Sequence, residues 1–162
     1  SPDGNMQLIL LHQSGGTLNY SVICKGRRSI ASSGMGMKLK SPEALLLKFD
    51  LLGIDSSVVD ENWKPVWGEV STIRNHYRQI ILKLLDRSGS GIQLHVIFRV
   101  FNDGVGFRYV FPQQPKLNHF IIAEELTQFA MTGDHNVFWI PGDYDTNEFK
   151  YNSSKLSGVA RG

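Results

Sequence analysis

The chain has 162 residues, 41% of them hydrophobic and 20% charged, which suits a domain of ordinary size with a real core. Seventeen Lys and Arg against fifteen Asp and Glu leave a formal charge of +2, and Lys25-Gly26-Arg27-Arg28, the densest basic run, reads as a hairpin turn, so nucleic-acid binding has little support. Cys24 is the only cysteine, which excludes an internal disulfide and a thiolate metal cluster; no apolar run approaches the roughly 20 residues of a membrane-spanning helix.

The dominant period is two. Met6 to Leu11 and Leu18 to Ile23 read as strands around the turn Ser14-Gly15-Gly16. Cys24 follows apolar Val22 and Ile23 and reads as small hydrophobic filler. Arg28 to Lys40, with Gly34 and Gly36, reads as an irregular or bulged strand. Ser41-Pro42-Glu43 reads as a helix start of one or two turns, with Ser at the N-cap, Pro at the first helical position and an acid in the first turn. Phe49 to Ile54 is extended again, and Asp60-Glu61-Asn62 reads as a turn or loop leading into Trp63. Within Val70 to Asp86 the cluster Ile80, Ile81, Leu82, Leu84 and Leu85 allows a helix. The alternation from Val70 to Gln79 and the stop at Ser88-Gly89-Ser90-Gly91 favour a long strand, followed by a second one, Ile92 to Phe101.

Asn102-Asp103-Gly104 then separates two aromatic, β-branched runs and has the residue types that tolerate positive φ in a tight hairpin. On the return run Phe107, Tyr109 and Phe111 share one face, and Arg108 and Val110 the other. His119 to Ala123 and Asn136 to Ile140 read as strands, with Glu124 to Phe129 open between helix and strand. The residues from Asp143 to Gly162 read as loop. The expected class is all-β, a two-sheet antiparallel sandwich with room for one short helix.

Three groups of residues could carry chemistry. Asp143-Tyr144-Asp145-Thr146-Asn147-Glu148 places several oxygen donors close together, as a hard cation such as Ca²⁺ requires, although the spacing is not that of an EF-hand; a solvated surface loop is the competing reading. Trp63, Trp67 and Trp139 could stack on sugar rings or pack in the core and against another domain. Arg74-Asn75-His76-Tyr77 is unusually polar for a strand and fits either an interface strand or a hydrogen-bonding cluster beside a substrate. Arg99 and Arg108, near the hairpin, are candidates for ion pairs with Asp103 or Asp145. No spacing pairs two carboxyls in the way glycoside hydrolysis requires, roughly 5–9.5 Å apart.

Ser1-Pro2-Asp3-Gly4-Asn5, Trp63-Lys64-Pro65-Val66-Trp67-Gly68-Glu69 and the hairpin from Phe98 to Pro112 together resemble the N-terminal domain of glycoside hydrolase family 97, which includes bacterial α-glucosidases and α-galactosidases. The resemblance implies a galactose-mutarotase-like super-sandwich spanning 1–162 as one domain. Residues 143–162 would then form a loop or linker toward a C-terminal catalytic (β/α)₈ barrel that would need about 250 further residues. It implies a periplasmic or secreted bacterial enzyme acting on oligosaccharide or polysaccharide. The first residue, Ser1 rather than Met, is expected to follow a removed upstream segment, and the chain alone is expected to be inactive. It also implies a Ca²⁺ held mainly by barrel glutamates, with one further glutamate from the end of this domain; Asn147-Glu148-Phe149-Lys150-Tyr151-Asn152 matches that placement and assigns the role to Glu148, with Asp143 and Asp145 as alternatives. Two rival functions stay open on the residues: a stand-alone carbohydrate-binding sandwich using exposed aromatics, and a mutarotase-like epimerase using His76 or His95 as acid or base.

Overall fold

Lys25 and Gly26 both adopt positive φ, 49° and 75°. That is the geometry of a two-residue hairpin turn whose twist matches its strands, and it joins β2 (Leu18–Cys24) to β3 (Arg27–Gly34). As expected, Ser14-Gly15-Gly16 turns the chain between β1 (Met6–His12) and β2, here in a longer connection closed by Gly16 N–H donating to Gln13 O at 2.8 Å. Gly16 sits at φ +89°, and a Cβ there would lie 2.9 Å from the Phe49 carbonyl oxygen, so no other residue fits without displacing backbone. A computed structural model describes residues 1–115, 117–146 and 148–159. They divide into two compact units, one through Ala130 and one from Met131 onward.

In the first unit β4 (Met37–Ser41) and β5 (Glu43–Leu46) form a hairpin across the cis Ser41–Pro42 bond. The short helix expected at Ser41-Pro42-Glu43 is absent. Ala44 and Leu46 are buried while Glu43 and Leu45 are exposed, so the segment has a strand's period of two and offers no stripe for a helix to bury. Among the described residues the only helical element is a 3₁₀ turn, Leu156–Gly158.

Strand β6 runs from Phe49 to Trp63 and pairs in register with β7 (Ile73–Asp86) from Phe49↔Asp86 to Trp63↔Ile73, with a bulge at Leu52. Asp60-Glu61-Asn62, expected as a turn, is therefore the far end of a strand. The reading of Val70 to Asp86 as strand rather than helix holds. β8 (Gln93–Val100) pairs with β7, and β9 (Val105–Val110) with β8, giving the order β6-β7-β8-β9. The turn between β8 and β9 is closed by Phe101 N–H donating to the Gly104 carbonyl, 2.8 Å. None of Asn102, Asp103 and Gly104 takes a positive φ, because four residues span the turn where two would have needed it.

β10 (Ile121–Glu125) pairs with β4, so of the segment left open between helix and strand Glu124 and Glu125 are strand, while Leu126 to Phe129 are neither helix nor strand. Its chain runs on beside β3: Leu126 N–H donates to Gly36 O, Gln128 N–H to Gly34 O and Ala130 O accepts from Ala31 N–H, all within 2.8–2.9 Å. These bonds join the ladders β1-β2-β3 and β10-β4-β5 into one layer facing β6-β7-β8-β9. The expected two-layer all-β sandwich is thus what forms.

The core lies between the layers. Leu18, Tyr20, Val22, Met37, Leu39 and Leu46 come from one side, and Leu82, Leu84, Leu94, Val96 and Phe98 from the other. The Tyr20 ring lies 6.0 Å from Phe98 and 6.1 Å from Phe107, and Phe107 lies 5.9 Å from Tyr109, so the aromatic face expected of the return run does pack inward. The Tyr20 hydroxyl donates to Gln128 O at 2.7 Å, and the Tyr109 hydroxyl accepts from Gly36 N–H at 3.1 Å and bonds Thr127 Oγ1 at 2.6 Å. Each buried ring thus keeps a partner for its polar end. Cys24 is a free, half-buried thiol packed at the edge of this core.

The second unit is a hairpin of β11 (Asn136–Trp139) and β12 (Asn152–Lys155). β12 lies inside the stretch read as loop; its four residues, Asn-Ser-Ser-Lys, include no apolar side chain and so give no alternation to detect. Lys116, Asn147 and residues 160–162 lie outside the described residues.

Gly16→Ala should lower stability by about 1–3 kcal/mol in urea unfolding, combining positive φ with overpacking against backbone; Gly15→Ala, where nothing lies within 4 Å of the added carbon, is the control and should change it little.

Candidate functional site

The acidic stretch is the loop that closes the β11–β12 hairpin, between the pair Trp139↔Asn152. Its first acid organises it. One Asp143 carboxylate oxygen accepts from the Asp145 N–H (2.8 Å) and the Thr146 N–H (3.1 Å), an Asx-type turn, and the Thr146 hydroxyl accepts from the Glu148 N–H at 3.1 Å. Below the loop the Trp139 indole donates to Ser154 Oγ at 3.0 Å, fixing a half-buried ring across the hairpin. Asp134 accepts from both the backbone and the hydroxyl of Ser157, and these bonds hold its carboxyl below the usual range.

Asp143 is therefore occupied with its own loop. Asp145 and Glu148 are exposed, and among the described residues their carboxylates accept no hydrogen bond and join no ion pair. No group of three metal-ligating side chains occurs among the described residues. Ca²⁺ takes about 6–8 oxygens, so this loop fits a contributor of one carboxylate and not a complete cage. Asn147, the neighbour on which the expected match partly rests, lies outside the described residues.

The polar run of β7 has a different role. Asp60 and His76 face each other across the ladder, as do Glu61 and Asn75. Arg74 grips Asp60 through two hydrogen bonds of 2.7 Å, His76 lies 3.9 Å from the same carboxylate, and Asn75 donates to Glu61 at 2.8 Å. These bonds brace a two-stranded arm, since β8 pairs with β7 only from Arg78 onward. Beyond the braces the arm carries Trp63, Val66, Trp67 and Val70; Val66 and Trp67 are 99% and 88% exposed. Trp63 and Trp67 are therefore not core residues of this chain. The bracing pairs were invisible in sequence because they are 14 positions apart and only the register of β6 on β7 aligns them.

Arg99 and Arg108 do not pair with Asp103 or Asp145 among the described residues. Arg99 donates to Gln79 at 2.9 Å and lies 4.5 Å above the Tyr77 ring, while Tyr77 packs 5.1 Å from Phe101. His76 and His95 cannot converge. His95 is paired with Lys83, an odd position of β7, and so projects from the face opposite to His76. The arrangement an epimerase would require is thus missing for that pair. Other carboxylates are likewise committed to structure: Asp50 with Arg87 (2.6 Å), Asp55 with Lys83 (2.7 Å), and buried Asp86 accepting from Ser88 and Ser90. A cavity of about 660 Å³ beside β1 has Asp3 as the one acid in its lining.

The three stretches that carried the resemblance have distinct places in this geometry. Asp3 collects bonds from Ser1 and Asn5 and is held at a pKa of about 2, foremost by the Ser1 hydroxyl; its own N–H donates to Asn102 in the hairpin turn at 3.1 Å. The Trp63 to Glu69 stretch is the tip of the arm. Residues 1–162, the whole chain, match the family described as glycosyl-hydrolase 97 N-terminal. The chain belongs to that family. It is 28% identical over 97% of its length to a retaining α-galactosidase of Bacteroides thetaiotaomicron. A glycoside hydrolase family 97 enzyme from Pseudoalteromonas sp. strain K8, solved as an E480Q variant with panose, superimposes with a TM-score of 0.89 at 30% identity over 99% of the chain. A β-arabinopyranosidase structure gives 0.74 at 25% identity over 85%. The chain spans 24% of the length of the first two and 21% of the third.

Asp60 sits below the ordinary carboxylate range, foremost because Arg74 donates to it. A carboxyl depressed in the folded state adds stability above its unfolded value, near 3.9, and that contribution is lost as pH falls through its folded value. Carboxyl NMR titration should place Asp60 below 3.8, and Arg74→Met should return it to the ordinary range. An unchanged titration in that variant would show that the brace does not hold in solution.

Proposed function

We propose that this domain is the N-terminal part of a bacterial periplasmic or secreted α-glycosidase, an α-glucosidase or α-galactosidase acting on oligosaccharide or polysaccharide. In this reading it packs on a C-terminal catalytic barrel and lends Glu148 to a Ca²⁺ at the substrate pocket. The match of the entire chain to one family, at a TM-score of 0.89 to an enzyme of that family, is the observation that carries the reading. The state of the carboxylates supports the division of labour. Asp50, Asp55 and Asp60 are held in ion pairs and Asp3, Asp86 and Asp143 in turns, so in this reading the acid and the nucleophile or base of a glycosidase come from the barrel.

Glu148 would serve as one Ca²⁺ ligand, and Asp143 would hold the loop that presents it. The Asx-type turn at Asp143 fixes the loop through backbone N–H groups and leaves the carboxylates of Glu148 and Asp145 unused. When bound, such an ion supplies Lewis-acid polarisation of the substrate or of an acid near the glycosidic oxygen. A second reading, a stand-alone glycan-binding sandwich, is favoured by one observation: the Trp67 ring is 88% exposed at the arm tip. It requires affinity for soluble glycans in the isolated chain.

Two measurements test the proposal. The isolated chain should show no turnover of nitrophenyl α-glucoside or α-galactoside and little Ca²⁺ binding by calorimetry; turnover abolished by a substitution within residues 1–162 would overturn it. In the full-length enzyme Glu148→Gln should weaken Ca²⁺ affinity about 10-fold or more, as loss of a charged ligand does, and lower turnover with the fold unchanged by circular dichroism. Wild-type Ca²⁺ dependence in that variant would remove Glu148 from the site and make Asp145 the next residue to test.

A further inference from the structure

The outer edge of β6 is the least finished part of the sandwich. Fifteen residues long, β6 pairs with β7 on one side; on the other, among the described residues, only its first residue is held, by Phe49 N–H donating to Gly16 O at 2.8 Å, and no strand pairs with the rest. Its core-facing side chains are identified by the ladder: Leu51 lies opposite Leu84, Ile54 opposite Leu82 and Val58 opposite Arg78, and cross-strand partners share a face. Leu82 and Leu84 are buried, yet Leu51, Ile54 and Val58 on the same face are 39%, 53% and 62% exposed. Beside them a cavity of about 230 Å³ opens between β1 and β6–β7, lined by Leu10, Leu18, Leu51, Ile54, Ile80 and Leu82 among others. The facing layer stops at β1, its edge strand, so among the described residues no further strand of that layer covers the end of the face.

An exposed edge of this length is ordinarily protected by lysine, proline or an uncompensated charge. β6 contains neither Lys nor Pro. Three of its four acids are ion-paired from within the first unit, Asp50 with Arg87, Asp55 with Lys83 and Asp60 with Arg74; the fourth, Glu61, accepts from the neutral Asn75 amide near the arm tip. From Asp50 to Asp60 the edge therefore presents open backbone donors and acceptors, an apolar inner face and no unpaired charge, Glu61 near the tip being the one acid without a cationic partner among the described residues.

We infer that β6 is completed by a further β-strand, from residues beyond 162 of the same polypeptide, that adds in register to its free edge and covers Leu51, Ile54 and Val58. The inference rests on the reading above that the domain is part of a longer enzyme. The choice of occupant comes from chain length: the relatives matched run to about four times this chain, and a strand in the same polypeptide pairs at high effective concentration. Strand addition satisfies both requirements of the site at once, the backbone edge by hydrogen bonds and the apolar face by alternate side chains.

Amide hydrogen exchange over residues 49–63 of the full-length protein tests this. In an antiparallel edge strand about half of the amides point away from the partner. If β6 is completed, nearly all of its amides are protected in the full-length protein, and Val58→Asp lowers the melting temperature by about 4 °C or more. If about half of them exchange at the rate of open chain and Val58→Asp leaves the melting temperature unchanged, the edge is free and the inference fails. Protection that disappears on dilution, together with a dimer in sedimentation, would assign the edge to a second copy and also overturn it. Glycosidase activity and Ca²⁺ dependence are measured on the same sample, so a free edge in an active, Ca²⁺-dependent enzyme would remove this inference alone.

Discussion

The fold depends on burying two apolar sheet faces against one another, and Phe98 is at the centre of that contact. Its ring is fully buried and touches Tyr20 across the layers and Phe107 on the neighbouring strand. Replacing a ring in such a place costs about 3–5 kcal/mol, a large part of a domain's net stability. The hydroxyls of Tyr20 and Tyr109 reach the chain at Gln128, Gly36 and Thr127. One aromatic cluster therefore supplies the buried area and also fixes the irregular crossing where β3 gives way to β4. Gly36 is needed at that crossing, since a methyl group on it would strike the Leu46 carbonyl.

Outside the core the charged residues serve mainly as braces. The Asp60–Arg74 and Glu61–Asn75 bonds hold the β6–β7 arm beyond the point where β8 ends. On an exposed ribbon each such bond is worth little by itself; their value is geometric, keeping two strands paired while the tip carries tryptophan and valine into solvent. The acidic hairpin loop follows the same logic on a smaller scale. Asp143 gives up its carboxylate to shape the turn, which leaves Glu148 available at a defined place.

What was legible in the sequence was whatever a period of two and turn chemistry encode. Lys25-Gly26, Ser14-Gly15-Gly16 and the aromatic return run from Phe107 could be placed because each signal is local. The errors came where a local signal competed with tertiary pairing. Ser41-Pro42-Glu43 looks like a helix cap, but Ala44 and Leu46 are claimed by the core at strand spacing. Asp60-Glu61-Asn62 looks like a turn, yet each of its residues has a partner on β7. The site was legible only as a concentration of oxygen donors. Which acid organises the loop and which stays available depends on hydrogen bonds to backbone amides, and composition does not encode those.

The bonds from Ala31, Gly34 and Gly36 to the chain at 126–130 join residues about a hundred positions apart. On a ribosome, β1 to β5 emerge long before the segment that closes their layer, so their inner face has to wait for most of the first unit to be made. Pairings of such separation are slow to form because loop-closure entropy is lost before any contact compensates for it. Until residue 130 has left the exit tunnel, Leu18, Met37 and Leu39 belong to an unfinished sheet. The nascent chain is then dependent on whatever shields apolar surface in the cell that makes it.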